Sequence, residues 1–292
     1  MSAGIKLPGY LKPYEYQIAG HHPSRKSNCT ELGRLGLLMH ENGEIVWKPL
    51  QPPPRGMTEH LFYEIVWRED YSNNDAMAPY IHFLRMVIPR YYGVTSLGES
   101  DKAQSFIKLE NILHGYHQPC IMDVKIGRQT WAPSADSERV AYEKLKYPYI
   151  DQIGFRVLGM SVYDPVSRQR ITRDKDWGKR VQPKNVEEVF DLFFNRSKKF
   201  PLSVIKRVVD RLEALQVWFN DQDKFWFYSS SILIVYDAKK CGYEPKVDVK
   251  MIDFTHVYPG DSTDANYLFG LTELLTRLQA YVKAAQACVQ VV

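Results

Sequence analysis

One short apolar run in this chain carries two opposite charges. In Pro119-Cys-Ile-Met-Asp123-Val-Lys125-Ile-Gly127 a carboxylate and an ammonium stand two positions apart, and a glycine closes the run. Because residues two apart on a β-strand point to the same face, we expect Asp123 and Lys125 to project together while the apolar residues around them pack on the other face. Such a pair suits a charged ligand, since the ammonium can offset the charge of a transferring phosphoryl group. The alternative is a structural ion pair on a half-exposed strand.

A second carboxylate ends a strand-like segment further along the chain. The alternating residues 247–251 run directly into Ile252-Asp253-Phe254. Mg²⁺ takes one or two protein carboxylates together with phosphate and water oxygens, and Asp253 is therefore a candidate metal ligand. An aspartate that merely ends a strand would produce the same pattern.

Lys48 is the candidate in the N-terminal part of the chain. Asn42-Gly43 separates the apolar residues 36–40 from residues 45–48, and Asn-Gly in this setting is the strongest local signal for a β-hairpin. Lys48 then lies on the second hairpin strand, where a protein-kinase-like small lobe carries the lysine that holds ATP phosphates. Taken alone, Lys48 could equally be an ordinary exposed lysine on a strand.

A charged helical stretch, residues 137–146, contains Arg139, Lys144 and Lys146. Beside a phosphoryl-transfer centre such side chains bind phosphate-bearing substrates through charge-assisted hydrogen bonds. An isolated stretch of this kind could equally be a solvated helix face. The combination is more informative, because a strand lysine, an acidic residue in a crossing segment, an Asp/Lys pair and a metal-type aspartate follow the order of a kinase-like nucleotide site.

Composition and motif content exclude several other classes. With 292 residues, 45% apolar and 25% charged, the chain can bury a large core in one two-lobed domain or two small ones. A net charge of +4 is compatible with a polyanionic small substrate and is too small to indicate nucleic acid, so we expect no nucleic-acid partner. We also expect the protein to be a monomer. No P-loop, G-x-G-x-x-G, H-E-x-x-H or G-x-S-x-G motif occurs, and the four scattered cysteines form no zinc pattern. No apolar run reaches the ~18–20 residues of a membrane span.

The elements that must position the charged residues follow from periodicity and turn signals. Helices are predicted over residues 58–68, 80–87, 137–146, 201–220 and 265–287, and strands over residues 16–19, 36–40, 45–48, 105–110, 155–164, 168–172, 229–236 and 247–253. The first helix is expected to bury Leu61, Phe62, Ile65 and Val66. This order is typical of an α+β fold rather than of βαβ alternation, with an N-terminal lobe over residues 1–112 and a C-terminal lobe over residues 113–292.

These residues together resemble the inositol polyphosphate kinases. The run from Pro119 to Gly127 matches the PxxxDxKxG signature of that family, and Ile252-Asp253-Phe254 matches its IDF motif. Ser229-Ser-Ser-Ile-Leu is similar to the family's SSLL segment, with isoleucine where leucine is usual. The resemblance extends from about residue 17 to the C-terminal helix. It implies a two-lobed, protein-kinase-like fold of the ATP-grasp and SAICAR-synthase type, with ATP and Mg²⁺ as cofactors.

The resemblance also implies a role for each candidate. Lys48 would contact ATP phosphates in the N-terminal, ATP-binding lobe, and the backbone of Glu110 and Ile112 would bind adenine. Asp123 would hold the ribose hydroxyls, Lys125 would bridge the substrate and the transferring phosphate, and Asp253 would hold Mg²⁺. The inositol phosphate would be contacted by Lys125 together with Arg55, Arg139, Lys146, Lys175 and His256.

Three segments are similar to the multikinase branch of the family: Lys48-Pro-Leu-Gln-Pro-Pro-Pro-Arg55-Gly, the signature run, and Asp253-Phe-Thr-His256-Val. The reaction this implies converts inositol trisphosphate and tetrakisphosphate to pentakisphosphate, with phosphatidylinositol 4,5-bisphosphate at a membrane surface as a further substrate. A hexakisphosphate kinase, a trisphosphate 3-kinase and a non-catalytic scaffold stay open as alternatives. The branch implies a nuclear and cytoplasmic location.

One departure concerns the substrate helix. Animal members of the multikinase branch carry neutral glutamines where this chain has Tyr142 and Glu143. We expect Glu143 to repel a polyanion if it faces the site.

Overall fold

The structure is a computed structural model that describes residues 7–18, 36–69, 76–98, 103–195, 202–239 and 244–290. Its internal contacts divide the chain into an N-terminal unit, Met1–His114, and a C-terminal unit, Gly115–Val292. Across the described residues, none of the helices combines the length and apolar character that a membrane span requires. The assignment of the two units to ATP binding and to catalysis stays a prediction.

The N-terminal unit is a five-stranded antiparallel sheet with two helices. In chain order its elements are β1 (Leu11–Pro13), β2 (Leu38–His40), β3 (Ile45–Pro49), α1 (Arg55–Trp67), α2 (Ala78–Val87), β4 (Tyr91–Leu97) and β5 (Gln104–Glu110). The strands lie in the order β1-β2-β3-β5-β4. The predicted hairpin is confirmed, since β2 pairs with β3 around a Gly43 whose φ is +73°.

The first strand lies earlier in the chain than predicted. The expected strand at residues 16–19 is wrong for residues 16–18, which form no strand, and Ala19 lies outside the described residues. Strand β1 instead pairs Leu11 with His40 of β2 and buries Leu11 in the apolar cluster of the sheet. The hydroxyl of Tyr14, just beyond β1, donates to Asn111 Oδ1 at 2.8 Å, so the chain has left the strand before residue 16.

Helix α1 buries a different face from the one predicted. Leu61 and Ile65 were expected inside, but they are 47% and 38% exposed. The helix carries apolar residues on two sides, and the side that packs is decided by β4, where Tyr91 stacks on Tyr63 with 5.7 Å between ring centroids. No pattern in the sequence predicted β4. The buried residues of α1 are Gly56, Glu59, Phe62, Tyr63 and Val66.

The C-terminal unit contains a second five-stranded antiparallel sheet, several helices and a two-stranded sheet. Its elements are β6 (Pro119–Ile126), α3 (Ser137–Lys146), α4 (Ile150–Ile153), β7 (Phe155–Asp164), β8 (Gln169–Arg173), α5 (Lys175–Gly178), a 3₁₀ turn (Pro183–Asn185), α6 (Val186–Phe193), α7 (Leu202–Asp221), β9 (Phe225–Phe227), β10 (Ser231–Asp237), β11 (Val247–Ile252), β12 (Val257–Pro259) and α8 (Ala265–Gln290). The large sheet has the order β11-β10-β6-β7-β8, and β9 pairs with β12. Both units mix helices with antiparallel sheets, which confirms the α+β prediction.

Strand β6 is the middle strand of the large sheet, and every residue on it except Lys125 is buried. Helix α7 packs on β11, and α8 packs on β6 and β7. The helical spacing predicted for α7 is confirmed by the burial of Val204, Val208, Leu212, Leu215 and Phe219. Helix α8, which also packs against α7, supports the strand that carries Asp123 and Lys125.

Helix α8 approaches the end of β6 so closely that glycine is required. Gly127, the last residue of the signature run, has φ of +98°, a conformation that residues with a Cβ rarely adopt. On α8, a Cβ added to Gly270 would overlap the carbonyl oxygen of Gly154 and lie 2.6 Å from the backbone nitrogen of Gly127. The end of β6 is therefore placed by direct backbone packing against α8.

We predict that Gly270→Ala destabilises the protein. In an exposed helix, alanine has a higher helix propensity than glycine. Here the added Cβ must push α8 away from β6, and such overpacking costs about 1–3 kcal/mol. Denaturant unfolding measures the change, with Gly9→Ala as the control because no heavy atom lies within 4 Å of a Cβ added at Gly9. An unchanged or increased free energy of unfolding for Gly270→Ala would contradict the close packing.

Candidate functional site

Three strands of the large sheet bring polar residues to one position. In the antiparallel register, Lys125 of β6 lies opposite Ser231 of β10 on one side and opposite Arg156 of β7 on the other. A bulge follows Asp123, but the extra residue belongs to β7, so the alternation along β6 continues. Asp123 and Lys125 therefore emerge from one strand with a buried Val124 between them.

Lys125 is held by the segment that precedes β10. Its Nζ donates to the carbonyl oxygen of Ser229 at 2.9 Å and also to the Ser229 hydroxyl. Although both side chains are described, Lys125 makes no direct ion pair with Asp123, which disfavours the simple structural pair considered from the sequence. Burial lowers the pKa of Lys125, the positive charge of Arg156 acts in the same direction, and the carboxylate of Asp253 opposes both.

Asp123 is a buried carboxylate with an unused oxygen. It is 4% exposed, and its Oδ1 has no hydrogen-bond partner among the described residues. Burial raises the pKa of Asp123, the nearby negative charge of Asp253 raises it further, and Lys125 lowers it. A buried acceptor oxygen without a donor fits the hydroxyl of a bound molecule or a metal ion.

Asp253 joins this cluster through the register of β10 and β11. Ile252 lies opposite Ser231, so the next residue leaves the sheet beside the Lys125 row. Asp253 has φ of +66° and Ser229 has φ of +64°, two of the four non-glycine residues with positive φ in the described ranges. Such backbone conformations are costly and concentrate at functional sites. They also explain why the predicted strands 229–236 and 247–253 are shorter in the structure.

The carboxylate of Asp253 fits a divalent cation of the kind that the resemblance implies. The described residues contain no group of three or more His, Cys, Asp or Glu side chains that could enclose a metal by themselves. A Mg²⁺ ion does not need such a cage, because it keeps several waters and shares one or two carboxylates with substrate phosphates. The carboxylate of Asp253 matches that donor set, and Asp123 leaves its unused oxygen for another ligand group.

Two basic side chains of helix α3 pair with the same carboxylate. Glu143 is 8% exposed, and its Oε1 lies 2.5 Å from Arg139 Nη2 and 2.7 Å from Lys146 Nζ. The ring of Tyr142 lies beneath the same pair, 4.3 Å from Lys146 Nζ. Lys144 is separate and lies 5.8 Å from the ring of Trp131. The repulsion expected from Glu143 is therefore offset within the helix, where its charge is shared by two basic side chains.

The remaining residues of the predicted substrate set lie in different places. Lys175, the first residue of α5, is near enough to influence the pKa of both Asp123 and Lys125. His256 accepts a backbone hydrogen bond from Tyr228 at 2.9 Å, next to Ser229. Arg55 is the first residue of α1 and belongs to the N-terminal unit.

In the N-terminal unit, Lys48 is paired with a residue that the sequence analysis missed. Its Nζ lies 2.6 Å from Glu59 Oε1, and Glu59 is fully buried on α1. A lysine on the third strand paired with a helix glutamate is the arrangement that protein kinases use to position ATP phosphates. The available signal was the spacing of Glu59, Phe62, Tyr63 and Val66, which places the glutamate on a packed face of the helix.

Glu110 and Ile112 lie where β5 ends. The backbone N–H of Glu110 donates to the Arg90 carbonyl at 2.8 Å, and Glu110 Oε2 accepts from the Arg90 N–H at 3.1 Å. The next residue, Asn111, is buried and donates to the Gly43 carbonyl at 2.6 Å. These bonds give the segment a defined shape and leave Ile112 half-buried in the turn that follows.

Comparisons with known proteins agree on one family. The model of the inositol polyphosphate kinase family matches residues 106–279. An inositol polyphosphate multikinase of Mus musculus is 33% identical over 263 residues, which are 90% of this chain and 63% of the mouse protein. Inositol polyphosphate multikinase alpha of Arabidopsis thaliana is 30% identical over 294 residues, which cover 94% of this chain and 97% of that protein.

A solved structure shows the same fold. The inositol phosphate multikinase Ipk2 from S. cerevisiae, crystallised with ADP and Mn²⁺, superposes with a TM-score of 0.63 at 23% identity and covers 82% of this chain and 100% of the yeast chain. At that identity the likeness shows the fold alone, and it confirms the predicted fold class. The chain spans less than two thirds of the length of its mouse relative.

We predict that Glu59→Gln weakens both the fold and the position of Lys48. Removing one charge of a buried ion pair costs about 2–4 kcal/mol of unfolding free energy, because the other charge is left uncompensated. If Lys48 contacts ATP phosphates, its displacement raises the KM for ATP about tenfold. Denaturant unfolding and steady-state kinetics measure the two effects.

The matched control is Glu64→Gln on the same helix, where the carboxylate is 50% exposed and faces His60 at 3.5 Å. This variant should leave both quantities unchanged. Loss of stability in Glu59→Gln with an unchanged KM for ATP would show that the pair supports only the fold.

Proposed function

The chain belongs to the inositol polyphosphate kinase family, and from that premise we propose that it is an ATP- and Mg²⁺-dependent kinase that phosphorylates a hydroxyl of an inositol phosphate. The observation that carries the proposal is the position of Lys125. Its ammonium is fixed by Ser229, partly buried, and placed in one cluster with two carboxylates. In phosphoryl transfer most of the catalysis is positioning and charge neutralisation, which is what such a lysine supplies.

The donor-side roles are those that the resemblance implies for each residue. Lys48, oriented by Glu59, contacts the phosphates of ATP, and the backbone of Glu110 and Ile112 binds the adenine ring. Asp123 accepts hydrogen bonds from the ribose hydroxyls through the oxygen that has no partner in the protein. Asp253 holds the metal, and Mg²⁺ when bound neutralises charge on the phosphates. The ADP and Mn²⁺ bound by the yeast protein of the same fold support the use of a nucleotide and a divalent cation.

The acceptor side is a set of cations suited to phosphates. Arg139 and Lys146 of α3 bind a phosphate of the inositol ring, and their orientation is set by Glu143. Lys175, His256 and Arg55 contribute further contacts, and Lys125 bridges the acceptor and the transferring phosphoryl group. No general base is assigned, because Lys125 is a poor base while charged and Asp123 is committed to the ribose.

The proposed substrates are inositol trisphosphate and tetrakisphosphate, with pentakisphosphate as the product. Relatives named as multikinases support this choice, and phosphatidylinositol 4,5-bisphosphate is the proposed lipid substrate. We place the protein in the nucleus and cytoplasm as a monomer, in line with the expectation from the sequence.

Product analysis with labelled ATP and Mg²⁺ tests this function. Inositol 1,4,5-trisphosphate, inositol hexakisphosphate and phosphatidylinositol 4,5-bisphosphate are offered separately. Conversion of the trisphosphate through tetrakisphosphate to pentakisphosphate supports the proposal, and turnover of the lipid extends it to membranes. Conversion stopping at tetrakisphosphate would indicate a trisphosphate 3-kinase, and turnover of the hexakisphosphate alone would indicate the pyrophosphate-forming branch. No turnover of any acceptor would favour a scaffold.

We predict that Lys125→Ala lowers kcat about 100-fold or more while leaving the KM for ATP within about threefold. The ammonium acts mainly on charge that develops during transfer, so its loss affects turnover more than nucleotide binding. Steady-state kinetics with inositol 1,4,5-trisphosphate measure the effect, and Lys206→Ala, at an exposed position on α7, is the control. Near-normal turnover by Lys125→Ala would overturn the assignment of Lys125.

A further inference from the structure

Arg156 is a cation that the proposed mechanism does not use. It lies on β7 directly opposite Lys125 in the antiparallel register. Side chains of directly opposed residues project from the same face of a sheet, with their Cβ atoms about 4.5–5.5 Å apart. The guanidinium of Arg156 therefore enters the site on the same face as the ammonium of Lys125.

This arrangement is unfavourable for the protein alone. Like charges directly opposed across two strands destabilise a sheet, and the charge of Arg156 lowers the pKa of Lys125. Among the described residues, the guanidinium of Arg156 contacts the ring of Tyr147, with 5.9 Å from its central carbon to the ring centroid, and makes no ion pair. A half-buried arginine without a carboxylate partner indicates a missing anion.

The surrounding charges place that anion toward α3. Burial lowers the pKa of Arg156, and the carboxylates that oppose this effect are first Glu143 and then Asp123. Glu143 already pairs with two cations, Arg139 and Lys146, so its single charge does not also neutralise Arg156. An excess of positive charge is therefore left between α3 and Lys125.

We propose that Arg156 binds a phosphate group of the acceptor, in the space between Lys125 and the Arg139–Lys146 pair. The inference rests on the proposed function and adds a substrate-binding residue to it. A guanidinium binds phosphate through two parallel hydrogen bonds, which fixes the orientation of the group as well as its position. The acceptor class is a cyclitol with at least two phosphates, one held by the α3 pair and another by Arg156.

The test compares Arg156→Met with the wild-type protein. Methionine keeps an unbranched side chain and removes the charge. We expect the KM for inositol 1,4,5-trisphosphate to rise about 10- to 100-fold, which corresponds to the loss of charge-assisted hydrogen bonds. The KM for ATP should stay within about threefold, and the thermal midpoint without ligand should be unchanged or higher because a like-charge contact is removed.

Two further variants sharpen the comparison. Arg156→Lys keeps the charge but not the paired donors, so it should show a smaller rise in KM, and it tests the proposal even if Arg156→Met does not fold. Arg207→Met removes the same charge from α7, where Arg207 forms an exposed pair with Glu244 at 3.0 Å, and should leave both KM values unchanged.

The outcomes separate this inference from the function on which it rests. An active wild-type protein together with an unchanged KM for the trisphosphate in Arg156→Met overturns the inference alone. A rise confined to the KM for ATP also overturns it, because the arginine would then belong to the nucleotide. A lower thermal midpoint with unchanged KM values would show a structural arginine. Absence of turnover by the wild-type protein with all three acceptors overturns the proposed function and this inference together.

Discussion

Charged side chains in the middle of a buried strand constrain how the surrounding residues of the C-terminal unit are placed. Strand β6 has neighbours on both sides, so a charge on it must be compensated by protein groups or by a ligand. Asp123 and Lys125 do not compensate each other directly. Ser229 holds the lysine from a left-handed backbone conformation, and Asp253 approaches from another. Register, strained loops and the close packing of α8 together keep these groups within reach of one another.

Carboxylates of the protein balance only part of the positive charge in this site. The excess of positive charge indicates that the ligand is an anion. Glu143 removes part of the positive charge on α3 and orders two long basic side chains, which would otherwise lose more conformational entropy when a ligand binds. Arg156 lies opposite Lys125 and makes no ion pair among the described residues. A site built in this way is poorly satisfied without an anion and well satisfied by several phosphates on a rigid ring, which are also the groups that the motifs predict.

The sequence predicted the parts of this site that are local. The signature run, the hairpin around Asn42-Gly43 and the apolar stripe of α7 each occupy a short segment, and their structures agree with the predictions. The inward face of α1 was predicted wrongly because the helix is apolar on two sides and only its packing on β4 selects one. Glu59 was missed for the same reason. Arg156 reads as an ordinary strand residue until the register with β6, a contact between distant segments, places it opposite Lys125.

Proton uptake on ligand binding tests the central claim most directly, namely that the cations around β6 are assembled for a polyphosphate. In the free protein, burial and the charge of Arg156 lower the pKa of Lys125, so part of the lysine is neutral at about pH 8.5, below the ordinary lysine value of about 10.4. A bound polyanion favours the charged form and should raise that pKa. Calorimetric titration with inositol 1,4,5-trisphosphate in buffers of different ionisation enthalpy should then show more net proton uptake in the wild-type protein than in Lys125→Arg, because arginine stays charged throughout while the protons of the ligand's phosphates contribute equally to both. Binding with equal net proton exchange in both proteins would contradict the account.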